Sequence, residues 1–144
     1  MEGLPPKLKT IIQDFDACIG REKLEYLLYY AEQFPELPTW LHGKRDEMEE
    51  VPECMTPVFM HAVYHQGRLT YYFDVPPGSP TIRGFASFLS EGVNGSTPSQ
   101  VLSIPADFYL QMGLQQVLSA QRLNGLSAIL VHMKQVATEY LARN

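Results

Sequence analysis

Across residues 58–75 the side chains alternate with a period of two, whereas the flanking sequence repeats at helical spacing. Val58, Met60, Ala62 and Tyr64 fall on one side and Phe59, His61, Val63 and His65 on the other; Gln66-Gly67 then turns the chain into Leu69, Tyr71, Phe73 and Val75. Successive strand residues point to opposite faces, so this stretch is expected to form a β-hairpin. A hairpin set among more numerous helices implies an α+β fold, with helices packed mainly on one face of a small antiparallel sheet. His61 and His65 share a strand face at i, i+4. At a rise of about 3.3 Å per residue they stand too far apart for easy joint metal ligation, and both are expected at the sheet surface.

The helical stretches are bounded by recognisable stops. Leu8, Ile11, Ile12 and Phe15 predict a first helix over residues 8–18, with Cys18 buried near its end and Gly20 after it. Leu24, Leu27, Leu28, Ala31 and Phe34 predict a second, closed by Pro35, and its Tyr26, Tyr29 and Tyr30 are expected at core and rim. Ser79-Pro80 starts a third, with Ile82, Phe85, Ala86 and Leu89 inward and residues 91–96 as a connector. Thr97-Pro98-Ser99-Gln100 has capping-box spacing, a short piece holds Phe108, Leu110 and Met112 before Gly113, and a last helix is expected from about Asn124. Its inward residues are Leu126, Ile129, Leu130, Met133, Ala137, Tyr140 and Leu141.

At 144 residues the chain has the size of one ordinary domain, so residues 1–144 are expected to form a single unit. A net charge of −5 without a basic stripe argues against nucleic acid. The two cysteines, Cys18 and Cys54, form no metal-binding motif, and no resident metal or cofactor is expected. The N-terminus lacks a signal-peptide pattern and no run is long enough to cross a bilayer, which points to the cytoplasm. Nucleotide, zinc-protease and serine-hydrolase motifs are absent.

Between the second helix and the hairpin the period is lost. Asp46, Glu47, Glu49 and Glu50 make an acidic run directly before a loop in which Pro52 and Pro57 flank Cys54. Proline fixes its own φ and restrains the residue before it, so Cys54 is expected on a stiff loop. Loops held by a rigid scaffold often carry reactive groups. The acidic run reads as a solvated stretch or as a docking strip for a basic patch on a partner.

Five pieces in order resemble the SufE family of sulfur acceptors: the helix over residues 23–37, the loop cysteine followed by Val58, Ile82-Arg83-Gly84-Phe85, Thr97-Pro98, and residues 118–126. The resemblance spans nearly the whole chain. It implies the SufE/IscU-like α+β fold and a protein that takes persulfide sulfur from a SufS-like, PLP-dependent cysteine desulfurase, stimulates it, and delivers sulfur to a SufB-like iron–sulfur scaffold. A homodimer is compatible with it. By the same matching, Cys54 falls on the persulfide-carrying cysteine and Arg122 on a recurrent arginine. With the acidic run read as a docking strip, Glu49, Glu50, Glu53 and Arg122 are the expected partner-binding residues. The family commonly has Gly-Cys-x-Ser-x-Val-Trp, where this chain has Glu53, Thr56 and Phe59 in place of the glycine, serine and tryptophan. Glu53 gives up glycine's freedom at positive φ, which bears on loop geometry and partner choice.

Sulfur transfer to Cys54 requires a thiolate and no cofactor. Glu49, Glu50 and Glu53, with an apolar pocket of Met55, Val58 and Phe59, are expected to keep the thiol protonated until a partner docks. Arg122 could pair with the acidic run or with the partner. The competing readings are a CsdE-like acceptor serving another desulfurase, a desulfurase-binding module with an incidental cysteine, and a thiol hydrolase pairing Cys54 with His61 or His65. The last lacks a visible orienting group or oxyanion motif.

Overall fold

The computed structural model describes residues 3–52 and 55–143. In chain order the elements are helices α1 (Pro6–Ala17) and α2 (Glu22–Glu32), strands β1 (Glu49–Glu50), β2 (Phe59–His65) and β3 (Arg68–Asp74), and helices α3 (Pro80–Val93), α4 (Pro98–Leu102), α5 (Tyr109–Met112) and α6 (Ala120–Ala142). Two short 3-10 turns, Thr39–Leu41 and Arg45–Glu47, lie between α2 and β1, and a third, Leu114–Gln116, follows α5.

The hairpin forms in the expected register, with Met60 opposite Phe73, Ala62 opposite Tyr71 and Tyr64 opposite Leu69. Gln66 and Gly67 both adopt positive φ, as a two-residue hairpin turn requires. Met60, Leu69, Tyr71 and Phe73 are buried on the face toward the helices. On the outer face the Trp40 ring stands edge-on to His61 and Tyr72, while His65 is exposed. The sheet has a third strand beyond the hairpin: β1 pairs antiparallel with β2, Glu49 opposite Met60 and Glu50 opposite Phe59. Two glutamates carry no strand pattern of their own, and their extended geometry comes from the partner strand.

Around the sheet's inner face the helices enclose a continuous apolar core including Leu8, Phe15, Leu27, Phe85, Phe88, Leu89, Phe108 and Leu126. Helix α3 lies at its centre, with Phe85, Ala86, Phe88 and Leu89 fully buried. Gly84 lets α2 approach closely, because a Cβ there would meet the Leu27 carbonyl oxygen at 2.7 Å. Thr97 and Gln100 close the capping box of α4 in both directions.

Several boundaries and faces differ from the sequence reading. Helix α1 ends at Ala17, with Cys18 already extended. Helix α2 buries Lys23, Leu27 and Tyr30 and leaves Leu28 38% exposed, because the Lys23 ammonium is held inward by the Phe15 and Met112 carbonyls of α1 and α5. Helix α3 continues to Val93, beyond Leu89, since Val93 is buried in the interhelical core. Leu110 and Leu141 face outward: Leu110 lies on the side of α5 opposite the buried Phe108 and Met112, and Leu141 in the last turn of α6. Helix α6 starts at Ala120 and not near Asn124: Ser119 caps it by accepting from the Arg122 amide.

Candidate functional site

Residues 52–57 connect β1 to β2. Val51 N donates to Val58 O at 2.8 Å, so the backbone pairing of the two strands reaches the base of this connection on both sides. Val51 and Val58 are buried in the core, and their anchoring follows from that burial. Glu53 and Cys54 belong to this connection and lie outside the described residues.

The described residues of the connection border two clefts, both on α6. Pro52 lines one of about 530 Å³ with Asn124, Ser127, Ala128, Val131, His132 and Gln135. Met55 and Thr56 line another of about 330 Å³ with Ile82, Ser119, Gln121, Arg122, Asn124 and Gly125. Pro52, Met55 and Thr56 therefore lie beside α6. Gln121 Nε2 donates to Met55 Sδ, and Thr56 Oγ1 lies 3.4 Å from Ser79 Oγ at the start of α3.

Arg122 belongs to the second cleft. Its side chain donates from Nη1 to Thr81 Oγ1 at 3.1 Å, and among the described residues it forms no ion pair. The fold thus sets Arg122 beside Met55 and Thr56 without bringing it to Glu49 or Glu50. A cation there, on the first turn of a 23-residue helix whose amide end is itself partly positive, makes this end of the connection favourable to an anion.

Glu49 has a different partner, which sequence reasoning missed. His132, buried on α6, holds Nε2 2.8 Å from Glu49 Oε2, out of line for a hydrogen bond but close enough for an ion pair when the ring is protonated. The contact ties β1 to α6 below the connection. A histidine within the apolar stripe of a long helix was the available signal, but it had no visible partner while β1 was unrecognised. Glu50 is exposed.

Met55, Val58 and Phe59 do not form the expected apolar pocket. Val58 and Phe59 point to opposite faces of β2: Val58 is fully buried, whereas Phe59 lies beneath the Arg45 guanidinium at 4.7 Å, and Met55 is 81% exposed. Cys18, expected in the core, is half-buried, and its thiol donates to Asp14 O at 3.4 Å. Burial first, and Glu22 second, push the Cys18 thiol above its ordinary range, which disfavours a reactive thiolate there. Among the described residues no His, Cys, Asp and Glu cluster could hold a metal ion, and no helix is long and apolar enough to cross a membrane.

A family model described as "SufE: Fe-S metabolism associated domain" matches residues 9–137. An uncharacterized SufE-like protein of Mycobacterium tuberculosis is 38% identical over 133 residues, covering 92% of each chain. A cysteine desulfuration protein SufE of Plasmodium vivax is 22% identical over 142 residues, covering 96% of this chain and 55% of that one. The solution structure of a hypothetical protein from Thermus thermophilus matches with a TM-score of 0.83 at 36% identity, over 96% of this chain and 98% of that one.

Proposed function

This chain belongs to the SufE family, whose role is sulfur transfer in iron–sulfur metabolism in contact with a cysteine desulfurase, and from that premise we propose that Cys54 is its persulfide carrier. One observation supports this most: the connection containing Cys54 is held at its base by the Val51–Val58 pair, and its described end borders a cleft with Arg122. A carrier needs a thiol presented on a short, firmly rooted segment that a partner can reach.

In the proposed step the Cys54 thiolate attacks the terminal sulfur of the desulfurase persulfide. The new S–S bond forms on Cys54 as the donor's S–S bond breaks. The desulfurase cysteine leaves as a thiolate, and the proton on the terminal sulfur travels with it to Cys54. No oxidant or reductant is consumed. A second exchange of the same kind, onto a scaffold thiolate, delivers the sulfur to a SufB-like acceptor. Arg122 would meet the anionic thiolate or persulfide, or a carboxylate of the partner, while Glu49, Glu50 and Glu53 would face partner cations and set encounter specificity. Binding of the carrier would stimulate the desulfurase by removing its persulfide.

The test is incubation with a PLP-dependent cysteine desulfurase and L-cysteine, followed by mass spectrometry under non-reducing conditions. The expected result is a gain of one sulfur mapped to Cys54 and absent from Cys54→Ser. A desulfurase stimulated equally by Cys54→Ser, with no sulfur on the wild-type carrier, would leave only a binding module.

A further inference from the structure

A cleft of about 750 Å³, larger than the two beside the 52–57 connection, lies between α1, α2 and α3 and shares no lining residue with them. The tyrosines of α2 give it an aromatic wall. Tyr26 and Tyr30 meet edge-on at 5.2 Å between centroids, Tyr29 and Tyr30 at 5.8 Å, and Tyr29 is half exposed at the opening. The cluster sits at core and rim as expected, with Tyr30 in the core and Tyr29 at the rim, and the same rings line this cavity.

Three kinds of polar group face this wall. Ser87 and Ser90 of α3 line the cleft at 4% and 6% exposure, and neither hydroxyl has a hydrogen-bond partner among the described residues. Neither oxygen is sealed from solvent, so both hydroxyls open into the cavity, where they offer hydrogen bonds to the polar atoms of a ligand. Asp14 of α1 and Glu91 of α3 add carboxylates, and neither forms an ion pair among the described residues. The Tyr26 hydroxyl stands 3.5 Å from Asp14 Oδ2, and Tyr30 faces Glu91. Lys7, exposed on the first turn of α1, is the one cation in the lining, so two carboxylates outweigh it.

Carboxylates only accept hydrogen bonds at neutral pH, hydroxyls can accept, and aromatic faces attract positive charge. We propose that this cleft binds a hydrogen-bond-donating organic cation, an ammonium or guanidinium head on an aliphatic stem. The stem would lie along the tyrosine rings, and the head would reach the Asp14 and Glu91 carboxylates and the serine hydroxyls.

The probe is butylguanidinium, titrated into the ¹⁵N-labelled protein at constant ionic strength, with 1-pentanol and butyrate as neutral and anionic controls of similar size. Saturable shifts centred on α2 and α3 are expected for the cation and not for the controls. Paired replacement of the carboxylates, Asp14→Asn with Glu91→Gln, should weaken binding at least about tenfold, since it removes both charges while keeping shape. Tyr29→Leu, at a half-exposed position that leaves the core intact, should weaken it by a smaller factor. Competition by a blocked arginine tripeptide would assign the cation to a polypeptide side chain; binding of butylguanidinium without such competition would assign it to a free small molecule. Either outcome sustains the cation site. A non-saturable response, an equal response to 1-pentanol, or unchanged binding in the doubly neutralised variant would overturn it.

Discussion

Lys23 is the most deeply buried charged side chain described, at 3% exposure, and its replacement tests how the helical layer is held together. Its Nζ donates to Phe15 O at 2.7 Å and to Met112 O at 3.0 Å. Both carbonyls lie in the last turns of their helices, α1 and α5, where backbone acceptors run out of intrahelical donors and the helix end is partly negative. One ammonium therefore closes two helix termini. In Lys23→Met, Phe15 O keeps its bond from the Cys18 amide, while Met112 O loses the donor described for it. Leaving one buried acceptor unmatched and another with a single partner costs about 2–4 kcal/mol. Methionine also avoids burying an ammonium, and the recovered desolvation brings the net to about 2 kcal/mol. For a chain of this size that corresponds to a melting-temperature drop of roughly 7 °C. Urea unfolding followed by far-UV circular dichroism measures it, with the exposed Lys9→Met as control, expected within about 0.5 kcal/mol of wild type. A Lys23→Met variant as stable as that control would refute the reasoning, and one more stable than wild type would show that burying the ammonium costs more than its two caps return.

Burial pushes the phenols of Tyr30 and Tyr71 well above the usual tyrosine range, and the Tyr71 hydroxyl donates to Met133 O at 2.8 Å. The folded state thus holds these protons when the unfolded chain has lost them, so stability is intact below the ordinary phenol value of about 10 and falls as pH rises beyond it. Thermal melts from neutral to alkaline pH should show that fall, less steeply in Tyr71→Phe, and titration of every tyrosine near the ordinary value in the folded protein would contradict it. Gly84→Ala should destabilise by more than about 2 kcal/mol because its Cβ meets backbone, whereas Gly125→Ala should be nearly neutral because its Cβ meets only the mobile end of Ile82; equal denaturation midpoints for the two would be evidence against this account. The Glu49 carboxylate is largely exposed, so its pairing with His132 is worth at most about 1 kcal/mol. Glu49→Gln should therefore speed hydrogen exchange at the Val51 amide by no more than about fivefold, and an unchanged rate would mean that the pair does not steady β1.

Features encoded by neighbouring residues were legible in the chain. The alternation over residues 58–75 set both hairpin faces, Gln66-Gly67 its turn, and Thr97 and Gln100 the capping box, because each depends on groups a few positions apart. The family was legible through the order of motifs around Cys54 and Arg122. Features that depend on distant partners were not. A strand of two glutamates exists because β2 lies beside it, and His132 acquires a role because β1 brings Glu49 to α6. Leu28 is exposed and Lys23 buried because the packing of α1, α2 and α5, and not the apolar stripe alone, decides which face of α2 turns inward. The packing of α1, α2 and α3 likewise opened the tyrosine cleft and set Ser87 and Ser90 in its lining. Local propensities amount to fractions of a kcal/mol per residue, so they specify where helices and strands begin and alternate. Burial and paired charge across the fold are several times larger, and they decided which side chains share a site.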